Sequence, residues 1–283
     1  MRIAIALASL VLAAPAWAGK AAPAAAPAPV VETQRFVIVE GGRNFRDIGG
    51  YRTADGHVVK RNVLYRSGSL GDLTPAGQRR LADMGIAHIV DLRTTRERAS
   101  DTFDLPAAYP GYWTRDYGMS IGDLRSAFAD PANLTADKMT AMMAGAYRTM
   151  PKEQAPSYRA LFARLQDASG PTVVNCTAGK DRTGIASALV LTALGVPYDT
   201  VRQDFLLSNG APGMETLQAT LSGPLARLPA DVAAPLVGVD GRYLDSAFAQ
   251  IRQDYGSVEH YLEKELGVGP QQVAVLRARM LQK

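Results

Sequence analysis

The feature that most constrains the fold is a short apolar run that enters a polar, glycine-containing loop and continues into a long apolar stretch. Thr172-Val173-Val174 has the β-branched composition of a buried strand. A helical pattern begins near Thr183 and runs to Gly195, a common residue type just beyond a helix end. This part of the chain is therefore predicted to fold as strand, loop and helix, and the loop contains the sole cysteine, Cys176.

A loop at this position predicts an anion site. The N-terminus of a helix has free backbone N–H groups and the positive end of the helix dipole. Arg182, six residues after Cys176, has a planar fork that can hold two phosphate oxygens. The same surroundings favour the thiolate form of a cysteine. Thr183 could donate its hydroxyl to the sulfur or cap the helix, and Gly179 and Gly184 could let the backbone approach a ligand closely.

A purely structural role for Cys176 is the competing interpretation, because a free cysteine is most often a small buried apolar residue. The Cys-x5-Arg spacing alone is weak support. Its combination with Gly179, Thr183, Gly184 and the preceding strand is far more specific. No glycine lies five residues before Gly179 and no Ser or Thr follows Lys180, so this is not the loop of nucleoside triphosphatases.

Charge and composition argue against a nucleic-acid-binding protein and against disulfide or metal sites. Lys and Arg number 31 and Asp and Glu 27, so the net charge is +4, too slight to indicate a nucleic-acid surface. One cysteine cannot form an internal disulfide or a thiolate zinc site, and the three histidines are scattered, so no metal site is predicted.

The N-terminus predicts export. Residues 1–18 combine Arg2, an apolar run to Ala14 and the triplet Ala16-Trp17-Ala18, as in a secretory signal. The apolar run is shorter than the roughly 20 residues that cross a bilayer, so a retained anchor is the weaker alternative and no integral membrane segment is expected after cleavage. Residues 19–35, rich in Ala and Pro, are interpreted as a tether, and 36–283 as the catalytic domain.

Two parts of the domain carry specific expectations. Phe36 to Val39 and two runs between residues 51 and 65, hinged at Asp55-Gly56, predict a small N-terminal β element. Residues 119–150 contain five of the nine methionines and predict one or two amphipathic helices. These helices would either face the core or form a mobile lid over the site.

The loop Asn175-Cys176-Thr177-Ala178-Gly179-Lys180-Asp181-Arg182-Thr183-Gly184 resembles that of the Cys-x5-Arg tyrosine phosphatases. It is most similar to the HCxAGKDRTG loop of bacterial members that also act on phosphoinositides. Further motifs support the resemblance, which covers about residues 36–283: 44–50, 64–68, 90–94 with Glu97, and 205–209. The resemblance implies an α/β fold with a central, mostly parallel sheet flanked by helices, no cofactor and a phosphocysteine intermediate.

By motif position, the resemblance makes Cys176 the nucleophile and Arg182 the phosphate clamp. The substrate-binding residues would be the other loop positions, namely Thr177, Ala178, Gly179, Lys180 and Thr183. Lys180 looks like the basic residue associated with lipid headgroups. Asn175 departs from the family, which has histidine there; an amide brings no titratable charge, so activation of Cys176 is expected to be weaker than with histidine.

Three carboxylates compete as the general acid. Asp181 comes first, since it lies in the loop as in myotubularin-like lipid phosphatases; a structural ion pair with Lys180 is its alternative role. Asp116 follows a strand-like stretch, Tyr109 to Trp113, and comes second. Asp91 comes third, with pairing to a nearby arginine at a strand end as its favoured role.

The sequence thus predicts an exported phosphomonoester hydrolase that acts on phosphotyrosine, with dual specificity as an extension. A phosphoinositide or inositol-phosphate phosphatase is the alternative, favoured by Lys180 and by a set of arginines predicted to be exposed: 79, 80, 93, 96 and 98. The partner would be a phosphorylated protein or a phospholipid. An alternative of another class is a non-catalytic phosphate-binding or redox-sensing module, because accessible thiolates oxidise.

Overall fold

Arg35 is the first residue that the structure, a computed structural model, describes; the described ranges are 35–103, 111–119, 133–167, 169–215 and 227–283. Arg35 is buried, donates to the Gly49 carbonyl at 2.6 Å and has its guanidinium 3.5 Å from the centre of the Tyr51 ring. The predicted tether boundary at residue 35 is therefore wrong, because Arg35 is part of the folded domain. The predicted signal segment, 1–18, and tether residues 19–34 lie outside the described residues.

The main sheet has five strands in the order β1-β3-β6-β4-β5. β1 is antiparallel to β3, whereas β3, β6, β4 and β5 are mutually parallel, so the mostly parallel sheet implied by the resemblance is confirmed. The strand bounds in chain order are β1 Arg46–Asp47, β2 Val58–Val59, β3 Leu64–Ser67, β4 His88–Asp91, β5 Gly111–Trp113, β6 Thr172–Asn175 and β7 Leu281–Gln282.

β6 is the central strand of the sheet, so its carboxyl end lies in the middle of one sheet edge. Asn175, its last residue, pairs with Ser67 on β3 and with Asp91 on β4. In open parallel sheets, ligands bind outside the carboxyl ends of the strands. The cysteine loop starts at this point.

Helices cover both faces of the sheet. Their bounds are α1 Pro75–Asp83, α2 Thr95–Ser100, α3 Ala136–Glu153, α4 Ala155–Gln166, α5 Arg182–Leu194, α6 Tyr198–Leu206, α7 Ala230–Val237, α8 Gly241–Tyr255, α9 Val258–Leu266 and α10 Pro270–Met280. Alternate residues of β6 face opposite sides. Val174 packs into the larger core, with α3 to α6 and α8 to α10, and Val173 packs into a smaller one with Leu81 of α1.

The predicted N-terminal β element is only partly correct. Phe36 forms an isolated bridge with Arg46, but residues 37–39 are not a strand; the chain turns at Gly42, whose amide donates to the Val39 carbonyl, and Ile38 is 77% exposed. The predicted turn at Asp55-Gly56 is confirmed by the bridge between Arg52 and Val58. β2 then pairs with β7 at the other end of the chain, a contact that local pattern does not predict.

Within the predicted methionine-rich segment the structure describes residues 119 and 133–150, which include most of α3. Met139, Tyr147 and Met150 of this helix are buried, so α3 faces the core as one of the two alternatives predicted. Residues 120–132 lie outside the described residues. Among those described, no helix combines the length and apolar character needed to span a membrane.

Candidate active site

The cysteine loop is a tight turn pressed against the end of β3. Gly179 has φ +68, and a Cβ there would lie 2.4 Å from the backbone nitrogen of Gly68. A Cβ on Gly184 would lie 2.8 Å from the Phe205 ring. These two glycines are therefore required for close packing against the end of β3 and against α6, and the predicted approach of their backbone to a ligand stays a prediction.

Two buried side chains hold the loop carbonyls from outside. Asn44 Nδ2 and Arg66 Nη2 each donate to the Gly179 carbonyl at 2.9 Å, and Asn44 also reaches the Ala178 carbonyl at 3.4 Å. Because each peptide is planar and trans, the N–H groups of Gly179 and Lys180 point away from Asn44 and Arg66. Asn44 and Arg66 therefore leave these two amides free for an anion, as an oxyanion site requires.

A buried carboxylate fixes the side chains that support the loop. Asp204 of α6 accepts from Arg46 Nε at 3.3 Å, from Arg66 Nη1 at 2.8 Å and from the Tyr51 hydroxyl at 3.0 Å. Burial raises the pKa of Asp204, but the charges of Arg46 and Arg66 and these hydrogen bonds outweigh it and lower the pKa to about 2. Asp204 therefore stays charged and anchors both arginines beneath the loop.

Cys176 and Arg182 lie at the two ends of the loop. Both side chains are buried: 1% of the surface of Cys176 and 7% of that of Arg182 is exposed. Burial lowers the pKa of Arg182, but hydrogen bonds to Glu97 and the electrostatic influence of the Cys176 and Glu97 side chains outweigh it and raise that pKa. The Cys176 sulfur is therefore in the core, as expected for a purely structural cysteine. It is also within electrostatic reach of the Arg182 guanidinium.

Glu97 orients the Arg182 guanidinium. Its two carboxylate oxygens accept from Nη2 at 2.6 Å and from Nη1 at 2.7 Å, and Nη1 also donates to the Leu92 carbonyl and the Tyr117 hydroxyl. Nη2 also donates to the Thr177 hydroxyl. All of these hydrogen bonds come from the two terminal nitrogens of Arg182, Nη1 and Nη2. Among the described residues, the Nε edge of Arg182 has no hydrogen-bond partner and can face an anion.

Glu97 is held by its own helix. It is the third residue of α2, where it accepts from the Thr94 amide at 2.7 Å in a capping box, and the Thr177 hydroxyl donates to it at 2.5 Å. Burial raises the pKa of Glu97, but Arg182, Thr177 and Thr94 outweigh it and lower the pKa to about 2. The Thr-x-x-Glu spacing predicts the capping box, but the contact with Arg182 has no sequence signal.

We expect Glu97→Gln to be less stable than the wild type at pH 6, by about 3 kcal/mol at 1.36 kcal/mol per pKa unit. A depressed pKa stabilises the folded state fully above the unfolded value of 4.5. This contribution is lost as the pH falls toward about 2. Urea unfolding at pH 6, 4 and 3 measures the difference, which should shrink as the pH falls; a difference that stays constant with pH would contradict the assignment.

Thr183 makes neither of the contacts predicted for it, and Asn175 bonds to a residue outside the loop. The Thr183 hydroxyl is buried with no hydrogen-bond partner among the described residues, and the N-cap of α5 is Asp181, so neither predicted contact of Thr183 is formed. Asn175 donates from Nδ2 to Asp91 at 3.2 Å. Asn175 is therefore tied to the end of β4.

The three candidate acids have different surroundings. Asp181 accepts from Lys180 Nζ at 2.8 Å and from the Tyr147 hydroxyl at 2.6 Å, so the predicted ion pair is present. Asp116 pairs with Arg98 at 2.6 Å, and its side chain is 85% exposed.

Asp91 is buried at the end of β4. It binds Arg93 through both carboxylate oxygens, as the strand-end pairing predicted, and also accepts from the Tyr112 hydroxyl. The prediction that Arg93 is exposed is wrong, because Asp91 holds it at 1% exposure.

Comparisons with known proteins agree with this geometry. The model of the tyrosine phosphatase family matches residues 37–282. A provisionally named tyrosine-protein phosphatase of Cupriavidus necator is 32% identical over 267 residues, covering 92% of this chain and 93% of that protein. The triple specificity protein phosphatase PtpB of Mycobacterium tuberculosis is 30% identical over 277 residues, covering 85% of this chain and 97% of that protein.

A third relative, a tyrosine-protein phosphatase of Nostoc commune, is 28% identical over 241 residues, covering 79% of this chain and 76% of that protein. The family match spans nearly the whole of the region that the motifs cover. From the loop geometry and these matches together, the chain belongs to the tyrosine phosphatase family.

Proposed function

We propose that this phosphatase hydrolyses phosphotyrosine through Cys176, Arg182 and Asp181, and that its range extends to phosphoserine and phosphothreonine. The observation that carries the proposal is the loop itself: carbonyls held outward by Asn44 and Arg66, and Cys176 and Arg182 at its two ends. The name of the Mycobacterium relative, which specifies triple specificity, supports the broader range.

The lipid alternative depends on Lys180. The Lys180 ammonium is buried and donates to Asp181 and to the Gly238 carbonyl at 3.1 Å. An ammonium used in this way is not presented to a second phosphate group, so we place phosphotyrosine ahead of phosphoinositides. The ratio of kcat/KM for a phosphotyrosine peptide and a soluble phosphoinositide measures this order, and a higher value for the lipid would reverse it.

The reaction would proceed in two displacements. The Cys176 thiolate attacks phosphorus in line, so that a sulfur–phosphorus bond forms as the bond to the leaving oxygen breaks. Arg182 and the loop amides stabilise the equatorial oxygens, and Asp181 gives its proton to the leaving oxygen. Water then forms a bond to phosphorus, gives a proton back to Asp181 and releases the thiolate.

Turnover of an aryl phosphate under reducing conditions tests this function. Acid quenching during turnover should trap a phosphorylated protein, and peptide mass spectrometry should place the phosphate on Cys176. Absence of both turnover and trapped phosphate would favour the binding or redox-sensing module instead.

We also propose that the enzyme acts outside the cytoplasm, supported by the signal-like residues 1–18. The amino terminus of the protein purified from an expressing culture should then be Gly19. An intact Met1 on the recovered protein would contradict export.

The role of Asp181 predicts a dependence on the leaving group. Asp181→Asn should lower kcat about 10²-fold or more for an alkyl phosphate and less than about 10-fold for an aryl phosphate with a good leaving group, because only the alkoxide needs the proton. Asp116→Asn, on the exposed surface, is the matched control and should change neither rate more than about twofold. If Asp116→Asn or Asp91→Asn showed the leaving-group dependence instead, Asp181 would not be the acid.

A further inference from the structure

Asp181 stands at the N-cap of α5 but does not cap it. An aspartate at this position normally accepts from the second or third amide of its helix. Here its side chain makes no such bond. Both of its hydrogen bonds to described residues, from Lys180 and from Tyr147, end on one oxygen, Oδ1.

Tyr147 reaches Asp181 from α3, a helix more than thirty residues earlier in the chain. Its side chain is fully buried, with its ring 5.3 Å from that of Tyr243 and edge-on to that of Phe205 at 6.0 Å. Burial and the adjacent Asp181 carboxyl raise the pKa of Tyr147 well above its usual value. The hydroxyl therefore keeps its proton and acts as a donor from a fixed position.

The second donor is equally constrained. Lys180 has a buried side chain, and its ammonium is also held by the Gly238 carbonyl beyond α7. An ammonium can only donate. Oδ1 of Asp181 thus already accepts from two donors, and one of them, the Lys180 ammonium, cannot accept a hydrogen bond in return. A proton carried by this carboxyl therefore belongs on Oδ2.

We propose that Tyr147 is a positioning residue for the general acid, because its hydroxyl, together with Lys180, fixes Asp181 so that Oδ2 carries and delivers the proton. This inference rests on the proposed function. In the first step Oδ2 loses its proton to the leaving oxygen while the sulfur–phosphorus bond forms. In the second step the attacking water gives a proton to Oδ2 while the sulfur–phosphorus bond breaks, which restores the acid.

Tyr147→Phe tests the inference, since it removes one hydroxyl and retains the ring. We expect kcat for an alkyl phosphate to fall about 10-fold, the scale of one hydrogen bond, with KM unchanged. For an aryl phosphate with a good leaving group, kcat should change less than about twofold. Tyr261→Phe is the matched control: Tyr261 is buried and its hydroxyl anchors the same helix through the Pro151 carbonyl at 2.7 Å.

A double mutant separates this inference from the proposed function. If Tyr147 acts through Asp181, Tyr147→Phe should cost nothing further in the Asp181→Asn background. Equal losses for both substrates, additive losses in the double mutant, or the same loss in Tyr261→Phe would overturn the role of Tyr147 while leaving Asp181 as the acid. Failure of the proposed function would appear differently, as a wild-type protein without turnover.

Discussion

Replacing Cys176 by serine is expected to lower turnover of an aryl phosphate at least about 10⁴-fold, in line with losses on removal of other enzymes' nucleophiles. A cysteine sulfur is intrinsically a strong nucleophile, whereas a serine hydroxyl needs an adjacent base to attack. Steady-state rates under reducing conditions measure the effect, and retention of more than about 1% of the rate would refute nucleophilic catalysis by Cys176.

Arg182→Lys examines the other half of the same site. Lysine keeps the charge but loses the fork that binds Glu97 and would bind two phosphate oxygens, so we expect kcat to fall about 10²- to 10³-fold. Arg202→Lys is the matched control, because Arg202 also binds a carboxylate, Asp245, but on a partly exposed surface formed by α6 and α8. Its rate should stay within about twofold of the wild type, and equal losses in the two variants would contradict a specific role for Arg182.

Asp204→Asn is expected to lower the free energy of unfolding by about 3–5 kcal/mol, because it leaves two buried arginines without their shared counterion. Arg46 and Arg66 are both fully buried, and Arg66 also donates a hydrogen bond to the Gly179 carbonyl of the loop. Loss of stability and loss of activity should therefore occur together. Urea unfolding monitored by circular dichroism, with kinetics on the fraction that remains folded, measures both.

Asp245→Asn is the control for this prediction. Asp245 has the same kinds of partner as Asp204, an arginine and a tyrosine hydroxyl, but it is 43% exposed. Exposed ion pairs contribute about 0–1 kcal/mol, so this variant should lose less than about 1 kcal/mol. Similar losses for Asp204→Asn and Asp245→Asn would mean that the buried network does not support the loop.

The site was predictable where its parts are close in the sequence. The strand, the loop and α5 are consecutive, so local composition already placed Cys176 and Arg182 at the junction of a strand and a helix. The helix start at Thr74-Pro75 and the end of α5 at Gly195, with φ +90, follow from local backbone preferences in the same way.

Prediction failed where a residue's role depends on distant partners. Glu97 is recognisable as a capping residue, yet its contact with Arg182 joins positions 85 apart. Arg93 has the same side chain as the arginines near it that are exposed, yet in the fold it is buried and donates hydrogen bonds to Asp91 and to the Ser69 hydroxyl. Hydropathy describes a side chain alone, whereas a buried charge is stabilised by whichever partner the fold brings to it.

The sequence by itself was enough to predict the chemistry of this protein, because the proposed nucleophile, phosphate clamp and acid lie within seven residues and need only one local turn to meet. Only the tertiary structure decided how those groups are oriented. Glu97 turns the Arg182 fork, Asp204 fixes the arginines beneath the loop, and Tyr147 meets Asp181 from a separate helix. Hydrogen bonds act over about 3 Å in space whatever the separation along the chain, so packing alone could bring these partners together.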